Sequence, residues 1–438
     1  MDGITRLRSA DSTASSDRLS ILVVLFLIGL VFPLMIHVGP IRLTLYRILL
    51  LLGLIPFLIR WLSSGAGPIR LADVCMMLIG LWAAVSWTVQ LGAESAIEPV
   101  GIHIVETWGA YFLARCLIRS PEAFRRVAVI LFWIVIGLLP FLIYENLTGR
   151  SMILEFINSL GQTYSPAYKE PRLGFERAQG PFQHPILLGV FCGATVSLAY
   201  YVVAHGRRPM GRVLRTLLVV FAAFTGLSSG PLAGISVQLI LIGWDRVFRR
   251  YRHRWWGFGG LFALGYVIVD LISNRTPLVV LVYYLSFNAD TAYDRFKIFE
   301  WGWKDVMKHP VFGNAGGEWE NVWYMSQSVD MFWLLNAMTH GLPVGALYLL
   351  AFFLIFVAVA RRELSDPRLR DYRMGFLGAM VGMFIAGWAV HFWNETYVLM
   401  MFLMGSGVWL LDHEESPSAP KSAPTPPAQP ARRRTILG

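Results

Sequence analysis

The stretch FRRVAVILFWIVIGLLPFLIYEN, residues 124–146, decides the fold class of this chain. It contains no charged residue between Arg126 and Glu145. An apolar segment of about 17–25 residues can cross the hydrocarbon core of a bilayer as one helix. The stretch therefore predicts a transmembrane helix, and similar stretches recur between residues 20 and 411.

The recurrence of these stretches predicts an all-α polytopic membrane protein. Of the 438 residues, 55% are hydrophobic and only 15% are charged, whereas roughly a quarter of the residues in a soluble domain are charged. This composition excludes a soluble globular enzyme. We predict twelve spans, at about 20–38, 43–60, 71–91, 97–117, 124–146, 185–204, 213–228, 230–248, 255–272, 331–358, 374–393 and 395–411.

The distribution of arginine predicts how these spans are oriented. With a cytoplasmic N-terminus, most of the 38 lysines and arginines fall in segments on one side of the membrane, and basic short loops are retained in the cytoplasm. The net charge of +10 then reflects topology and does not indicate nucleic-acid binding. We expect a cytoplasmic segment at 1–19, a membrane domain at 20–411 and a disordered, proline-rich cytoplasmic tail at 412–438. The first apolar stretch should be a retained helix, because no cleavage site of small residues follows Val38.

Several kinds of site are missing from the sequence. Cys75, Cys116 and Cys192 all lie in apolar segments, so neither a disulfide framework nor a metal cluster is expected. No Walker A, dinucleotide-binding or metalloprotease helix motif occurs. We therefore expect no cofactor, and neither an ATP-driven pump nor a cytosolic nucleotide-sugar site.

This topology leaves two long segments on the outer side of the membrane, residues 147–184 and 273–330. Long segments without regular periodicity are usually functional or disordered, and the tryptophan, tyrosine and charge in these two argue against disorder. Residues 290–309 predict an amphipathic helix that can lie on the outer leaflet. Its apolar face consists of Phe296, Phe299, Trp303 and Val306.

The first candidate site lies in KEPRLGFERAQGPFQHP, residues 169–185. Arg172 and Arg177 can bind a phosphate group with their forked donors, assisted by the free amides at the start of the next helix. The alternative is that both side chains reach lipid headgroups. His184 is either a proton carrier or a residue that caps or packs against that helix.

The second candidate site combines Arg295, Asp330 and His340. Arg295 either binds phosphate or pairs with the neighbouring Asp294. Asp330 precedes the tenth predicted span, where it either caps the helix or acts as a general base. His340 follows within that span.

Six more ionisable residues lie within the predicted spans. A charge in the bilayer is costly unless it is paired, so the deeper His103 and Glu106 should have partners. The other four, expected near the outer ends where they could face a shared cavity, are Glu145, Asp270, His391 and Glu395. The sequence SSGP at 228–231 either forms a tight hairpin or lets a substrate approach the backbone.

Four motifs resemble, in order and spacing, the bacterial O-antigen ligase and polysaccharide polymerase superfamily. The resemblance covers roughly residues 120–411. The motifs are RAQGPFQHPILLG at 177–189, LSSG at 227–230, the segment from Arg295 to HPVFG at 309–313, and DMFWL at 330–334 leading to HGLPVG at 340–345.

The resemblance implies a bacterial inner-membrane glycosyltransferase with a C-type glycosyltransferase fold, acting on the periplasmic face. Members of the family use a glycan on a polyprenyl diphosphate as donor and need neither a metal nor a nucleotide sugar. Polymerases join repeat units, whereas ligases transfer the finished chain to a lipid A-core acceptor. Ligases usually carry His followed by Asn or Ser where this chain has Asp330-Met331. The resemblance therefore favours a polymerase of exopolysaccharide or O-antigen repeat units, with a ligase as the alternative.

The mechanism we expect is an inverting displacement at the anomeric carbon. Arg172, Arg177 and Arg295 would bind the departing pyrophosphate, and Asp330 would orient or deprotonate the acceptor hydroxyl, with assistance from His184 or His340. A groove between spans would bind the prenyl chain, and the helix at 290–309 would act as a lid. The expected partners are the lipid-linked oligosaccharide, a glycan or lipid A-core acceptor, membrane lipids and other polysaccharide assembly proteins, but no nucleic acid.

Two other classes of function stay open. A transporter of lipid-linked glycans would bind the same substrate without making a bond, although transporters often contain two similar halves with broken helices and no such symmetry is evident. A non-catalytic membrane partner of polysaccharide assembly is the second alternative.

Overall fold

The computed structural model describes residues 19–38, 41–273, 289–322 and 328–414. In these ranges the chain is mostly helical. The predicted N-terminal segment up to residue 18 and the predicted disordered tail beyond residue 414 lie outside them. The helices are Ile21–Gly29, Leu45–Leu62, Leu71–Leu91, Ala93–Ile104, Ala110–Leu117, Pro121–Thr148, Met152–Leu160, Pro185–Leu198, Pro209–Phe224, Ser229–Val247, Arg254–Ile272, Ala289–Lys308, Phe332–His340, Leu342–Arg361, Pro367–Gly387, Glu395–Ser406 and Trp409–Asp412, with π-helical turns at Val105–Gly109 and Ala199–Val203.

This is a membrane protein, because several of these helices are long and apolar enough to cross a bilayer. Six such helices occur in the described ranges, at Leu45–Leu62, Leu71–Leu91, Pro121–Thr148, Pro185–Val203, Arg254–Ile272 and Leu342–Arg361. Arg254–Ile272 contains no buried residue. An apolar helix with no protein around it is stable in lipid, where its backbone hydrogen bonds are all internal.

The first predicted span is wrong beyond residue 29. The helix ends at Gly29, and Met35–Val38 pairs antiparallel with Ile41–Thr44 as a two-stranded hairpin. Pro33 explains the end of the helix, because a proline clashes with the carbonyl four residues before it and offers no N–H. The hairpin also contacts the first predicted outer segment, residues 147–184, since the N–H of Met35 donates to the carbonyl of Gln162 at 2.8 Å.

The tenth predicted span is not one continuous helix. It consists of two helices, Phe332–His340 and Leu342–Arg361, which meet at Gly341. Gly341 has φ +84°, and a Cβ there would overlap the carbonyl of Val311. Pro343 lies in the first turn of the second helix, a position that proline favours. A proline there also prevents the preceding helix from continuing, because it offers no N–H and clashes with the carbonyl four residues earlier. The helix predicted at 290–309 is confirmed as Ala289–Lys308.

Helix Pro121–Thr148 separates two polar ends of the molecule. Its 28 residues span roughly 42 Å at 1.5 Å per residue. Near its start, Glu122 pairs with Arg368 at 2.7 Å. Near its other end, Glu145 accepts the backbone N–H groups of Gln179 and Gly180. We call these the Glu122 end and the Glu145 end.

Arginines predicted to share one side of the membrane do gather at the Glu122 end, around two buried aspartates. Each aspartate forms salt bridges with several basic side chains. Ionisable groups within a membrane protein are usually paired in this way. The basic side chains are Arg70, Arg115 and Arg119 at Asp412, and His205, Arg212 and Arg249 at Asp371.

Small residues let the central helices approach closely. A Cβ on Gly234 would overlap the backbone carbonyl of Gly382 on the neighbouring helix. Beside this contact, the Gln238 side chain donates to the carbonyl of Gly193 at 2.9 Å and accepts from the Ser197 hydroxyl at 2.7 Å. Close backbone approach and interhelical hydrogen bonds of this kind hold membrane helices together.

We predict that Gly234→Ala destabilises the protein, because one helix must move away from the other. Overpacking of this kind costs roughly 1–3 kcal/mol. The matched control is Gly243→Ala on the same helix, where an added Cβ meets nothing within 4 Å. Thermal unfolding in detergent measures both, and equal melting temperatures would contradict the packing described here.

Candidate functional site

A tight turn brings Arg172 into position at the Glu145 end. Arg172 and Phe175 exchange both backbone hydrogen bonds, at 2.9 and 3.0 Å. The two residues between them, Leu173 and Gly174, have φ +55° and +79°, which matches a type I′ hairpin turn. The glycine takes this conformation without strain, whereas leucine takes it at a cost.

The loop that carries both arginines is docked on the turn at 225–228. Arg172 Nη1 donates to the carbonyl of Leu227 at 2.9 Å. Arg177 Nη2 donates to Ser228 Oγ at 2.7 Å, and its Nε donates to the carbonyl of Gly226 at 3.3 Å. These contacts hold both guanidinium groups against protein backbone, which favours a shaped binding loop over two side chains that reach out to lipid.

The other side of this loop is held by helix Pro121–Thr148. Glu145 Oε1 and Oε2 accept from the backbone N–H of Gln179 and Gly180, both at 3.0 Å. The Asn146 amide donates to the carbonyls of Glu176 and Thr225. Glu145 is therefore a structural anchor of the loop, and it does not face a shared cavity as expected.

Electrostatic effects place Arg295 in the same region as these two arginines. Burial and the positive charge of Arg172 both lower the pKa of Arg295, and the negative charge of Asp330 raises it. Burial lowers the pKa of Arg177 to about 10, and Arg172 contributes to this shift. The charge of Arg172 thus acts on both Arg177 and Arg295, and the charge of Asp330 acts on Arg295.

Within the part of the chain that the structure describes, no carboxylate forms a salt bridge with Arg172, Arg177 or Arg295. The Asp294 side chain, which could pair locally with Arg295, lies outside that part. Like charges held together are unfavourable, so an anion bound among these arginines would be stabilised.

Asp330 does not cap the helix that follows it, so the capping alternative is wrong. That helix begins at Phe332, and its N-cap is Met331, which makes no side-chain capping bond. Asp330 Oδ1 instead accepts from Ser328 Oγ at 2.9 Å. The carboxylate remains half-buried beside Arg295, where it can accept a proton or orient a hydroxyl group.

His184 caps helix Pro185–Leu198. Its Nδ1 accepts from the backbone N–H of Ile186 at 3.1 Å, which places the proton of the neutral ring on Nε2. Burial and the positive charges of Lys169, Arg177 and Arg172 lower its pKa to about 4. A role in proton transfer stays a prediction, and near neutral pH this ring offers an Nε2–H donor.

The structure does not place His340 with the arginines. Helix Phe332–His340 has nine residues and is roughly 13 Å long, so His340 lies at the far end from Asp330. Its ring packs against Trp87 and His103, with centroid distances of 4.4 and 5.4 Å. His340 belongs to a separate buried cluster, and a catalytic role for it stays a prediction.

The interior ionisable residues have different environments. Glu106 has the partner it was predicted to need, since Arg47 donates to it at 2.8 Å. Tyr348 Oη lies 3.5 Å from His103 Nε2. Asp270 is exposed on Arg254–Ile272, so the expectation that it faces a shared cavity is wrong.

The sequence analysis named His391 among the interior ionisable residues but did not predict its relation to Asp330. The backbone N–H of Phe332 donates to the carbonyl of Val390 at 3.1 Å, which joins the segments that carry Asp330 and His391. Burial lowers the pKa of His391 to about 4, and the charge of Asp330 acts in the opposite direction. Next to it, Trp393 and Asn394 both donate to Gln183 Oε1, at 3.0 and 3.1 Å. Asn394 has φ +50°, and such strain in a non-glycine residue is concentrated at functional sites.

The turn at 225–228 joins helices Pro209–Phe224 and Ser229–Val247, and the start of the second helix is tightly packed. A Cβ on Gly230 would lie 2.7 Å from Val390 Cγ2 and 3.1 Å from the carbonyl of Ala389. Ser228 also binds Arg177. This part of the chain therefore contacts both the loop that carries Arg172 and Arg177 and the segment that carries His391.

Comparisons with known proteins do not place the chain in a family. No protein-family model matches it, and no curated protein is significantly similar to it. The resemblance to the O-antigen ligase and polymerase superfamily therefore rests on the four motifs alone.

We predict that His184→Asn keeps the stability of the protein, while His184→Ala loses roughly 1 kcal/mol. Asparagine can replace Nδ1 as the N-cap acceptor, and alanine cannot. Thermal unfolding of the two variants in the same detergent checks this, and a stable His184→Ala variant would contradict the capping role.

Proposed function

We propose that this protein transfers a glycan from a polyprenyl-diphosphate carrier to a growing polysaccharide on the periplasmic face of the bacterial inner membrane. The observation that supports the proposal is that Arg172 lies close enough to act on both Arg177 and Arg295, and that Asp330 acts on Arg295. These residues come from two chain segments more than 100 residues apart, and no described carboxylate neutralises the arginines.

The chemistry of the arginines suits a departing diphosphate. A guanidinium has five N–H donors in a planar fork, and among the described contacts Arg172 uses one of its nitrogens and Arg177 two. Backbone carbonyls thus orient both groups while N–H donors remain for the ligand. Donors fixed in advance where negative charge develops stabilise a transition state strongly.

Asp330 supplies the second half of the reaction. The oxygen of the acceptor hydroxyl forms a bond to the anomeric carbon of the donor, and its proton passes to the Asp330 carboxylate. The bond between that carbon and the diphosphate oxygen breaks, and its electron pair leaves with the diphosphate. Attack opposite to the leaving group inverts the configuration at the anomeric carbon.

The proposal also fixes a topology. The shorter and less apolar helices would complete twelve spans, with the Glu122 end in the cytoplasm according to the positive-inside rule. The Glu145 end would then face the periplasm with a C-type glycosyltransferase arrangement, and helix Ala289–Lys308 would lie at the outer leaflet. Phe299 and Trp303 on this helix are exposed, as a contact with lipid requires.

The direct test is reconstitution in lipid nanodiscs with a lipid-linked repeat unit as the only glycan. A ladder of longer lipid-linked chains supports the polymerase. Transfer that requires added lipid A-core identifies a ligase instead. Movement of the substrate across a vesicle bilayer without a new linkage identifies a transporter, and no reaction in any format overturns the proposal.

We predict that Arg177→Ala lowers the rate of chain elongation by about 10²-fold or more, because one donor to the developing charge is lost. Arg177→Lys should recover little, since lysine lacks the planar fork. Arg150→Ala is the control. Arg150 lies just after helix Pro121–Thr148, where it is exposed and paired with Glu155. Elongation is measured by gel at matched protein levels, and normal chain lengths in Arg177→Ala would exclude the role.

We predict that Asp330→Asn lowers transfer by roughly 10²–10⁴-fold, the usual contribution of a general base. Binding of the donor should persist, because the arginines are intact. The control is Glu318→Gln, an exposed carboxylate in the preceding segment. A variant with full transfer would remove Asp330 from the mechanism.

A further inference from the structure

We propose that the cavity between the turn at 310–319 and helix Phe332–His340 binds the terminal sugar ring of the acceptor and presents its hydroxyl to Asp330. This inference rests on the proposed function and adds a substrate subsite to it. The cavity has a volume of about 240 Å³ and is lined by Asn314, Trp319, Ser328, Leu335 and His391, among others.

The size of the cavity suits a single sugar ring. A cavity of about 150 Å³ can accommodate a benzene molecule. The present volume of about 240 Å³ is larger by roughly the space that ring hydroxyl groups need. A pocket of this size would recognise the end of a glycan and would not enclose a long chain.

The lining of the cavity is neutral, in contrast to the arginine cluster. The described residues that line it include no lysine, arginine or carboxylate. His391 adds no charge near neutral pH, because burial lowers its pKa to about 4. A diphosphate would have no counter-charge here, so the occupant is a neutral polar group.

The side chains present are those that bind a carbohydrate. The amide of Asn314 and the ring nitrogens of His391 offer donors and acceptors to hydroxyl groups. Trp319 offers an apolar aromatic surface, on which the C–H face of a sugar ring can pack. Pockets with apolar walls and a few directed polar groups are typical of small-ligand sites.

One wall of the cavity is held rigidly. The backbone N–H groups of Asn314 and Ala315 donate to the carbonyls of Met338 and Thr339, at 2.8 and 3.1 Å. The Asn314 amide donates to Asp305 at 3.0 Å. A wall fixed by such bonds loses little entropy when a ligand binds.

Helix Leu71–Leu91 supports this wall from behind. Trp82 and Ser86 donate to the carbonyls of Val311 and Phe312, at 3.1 and 2.6 Å. Gln90 donates to the carbonyl of Gly313 at 2.5 Å. The turn that lines the cavity is thus tied to a membrane helix by three consecutive carbonyl groups.

Asp330 lies at the junction of the two sites. On one side it is bonded to Ser328 and neighbours His391, both of which line the cavity. On the other side its charge acts on Arg295. A base that lies between an anion site and a neutral sugar site can take the acceptor proton while the arginines receive the diphosphate.

Cysteine protection tests the cavity without relying on activity. Cys75, Cys116 and Cys192 are all buried, so a thiol reagent should label an introduced exposed cysteine selectively. Gly317→Cys places a thiol on the cavity wall, and Glu318→Cys places one on the exposed neighbouring residue that does not line it. The probe is the delipidated repeat-unit oligosaccharide of the native host.

We expect the oligosaccharide to protect Gly317→Cys and to leave Glu318→Cys unprotected. At ten times the Kd, labelling should slow about elevenfold. Equal labelling with and without sugar, protection of both cysteines, or protection of Gly317→Cys by a sugar-free prenyl diphosphate would each overturn the inference.

A kinetic variant separates this inference from the proposed function. Leu335→Trp should fill part of the cavity and raise the acceptor KM by about tenfold or more, with donor binding unchanged. If the wild-type protein elongates chains but this variant has a normal acceptor KM, the cavity is not the acceptor site and the proposed function stands. If the wild-type protein transfers no sugar, the proposed function itself fails.

Discussion

The carboxylate of Glu145 makes the contact on which the candidate site depends. It accepts the backbone N–H groups of Gln179 and Gly180, both at 3.0 Å, and so fixes the chain just after Arg177. The turn at 225–228 then fixes the guanidinium group itself. Buried donors without this acceptor would be costly, so the sequence at 177–180 and the end of helix Pro121–Thr148 must fold together. The arginines are therefore part of the membrane domain and not of an independent loop.

Hydropathy predicted the helices well where an apolar run contains no residue that interrupts the helical backbone. The predicted spans at 43–60 and 71–91 correspond closely to Leu45–Leu62 and Leu71–Leu91. The errors occur where one residue changes the backbone inside an apolar run. Pro33 ends a helix, and Gly341 with φ +84° breaks another. An apolar scale reports the transfer of side chains into lipid and carries no information on backbone geometry, so these breaks needed the local chemistry of proline and glycine.

The candidate site was predictable in its residue types and only partly in its geometry. The sequence identified Arg172, Arg177, Arg295 and Asp330 as candidates. In the structure Arg172 acts electrostatically on Arg177 and Arg295, and Asp330 acts on Arg295, while the roles of the four residues stay predictions. The proximity of His391 to Asp330 arises from the packing of helices about 60 residues apart in the chain, and no local pattern encodes such a contact. His340 shows the opposite case. It is close to Asp330 in sequence, but helix Phe332–His340 lies between them and separates the two side chains by its length.

Several features of the candidate site depart from the local rules that stabilise a protein. Arg172 and Arg177 repel each other, Leu173 and Asn394 adopt positive φ angles, and helix Phe332–His340 begins without a side-chain cap although Asp330 is adjacent. Each feature lowers the stability of the free protein, by amounts on the order of 1 kcal/mol for a missing cap. Natural sequences keep such conflicts where function requires them. A bound anion would relieve the first conflict. On the proposed function, a carboxylate that does not cap the helix can accept the proton of an acceptor hydroxyl, so these features suit the reaction proposed above.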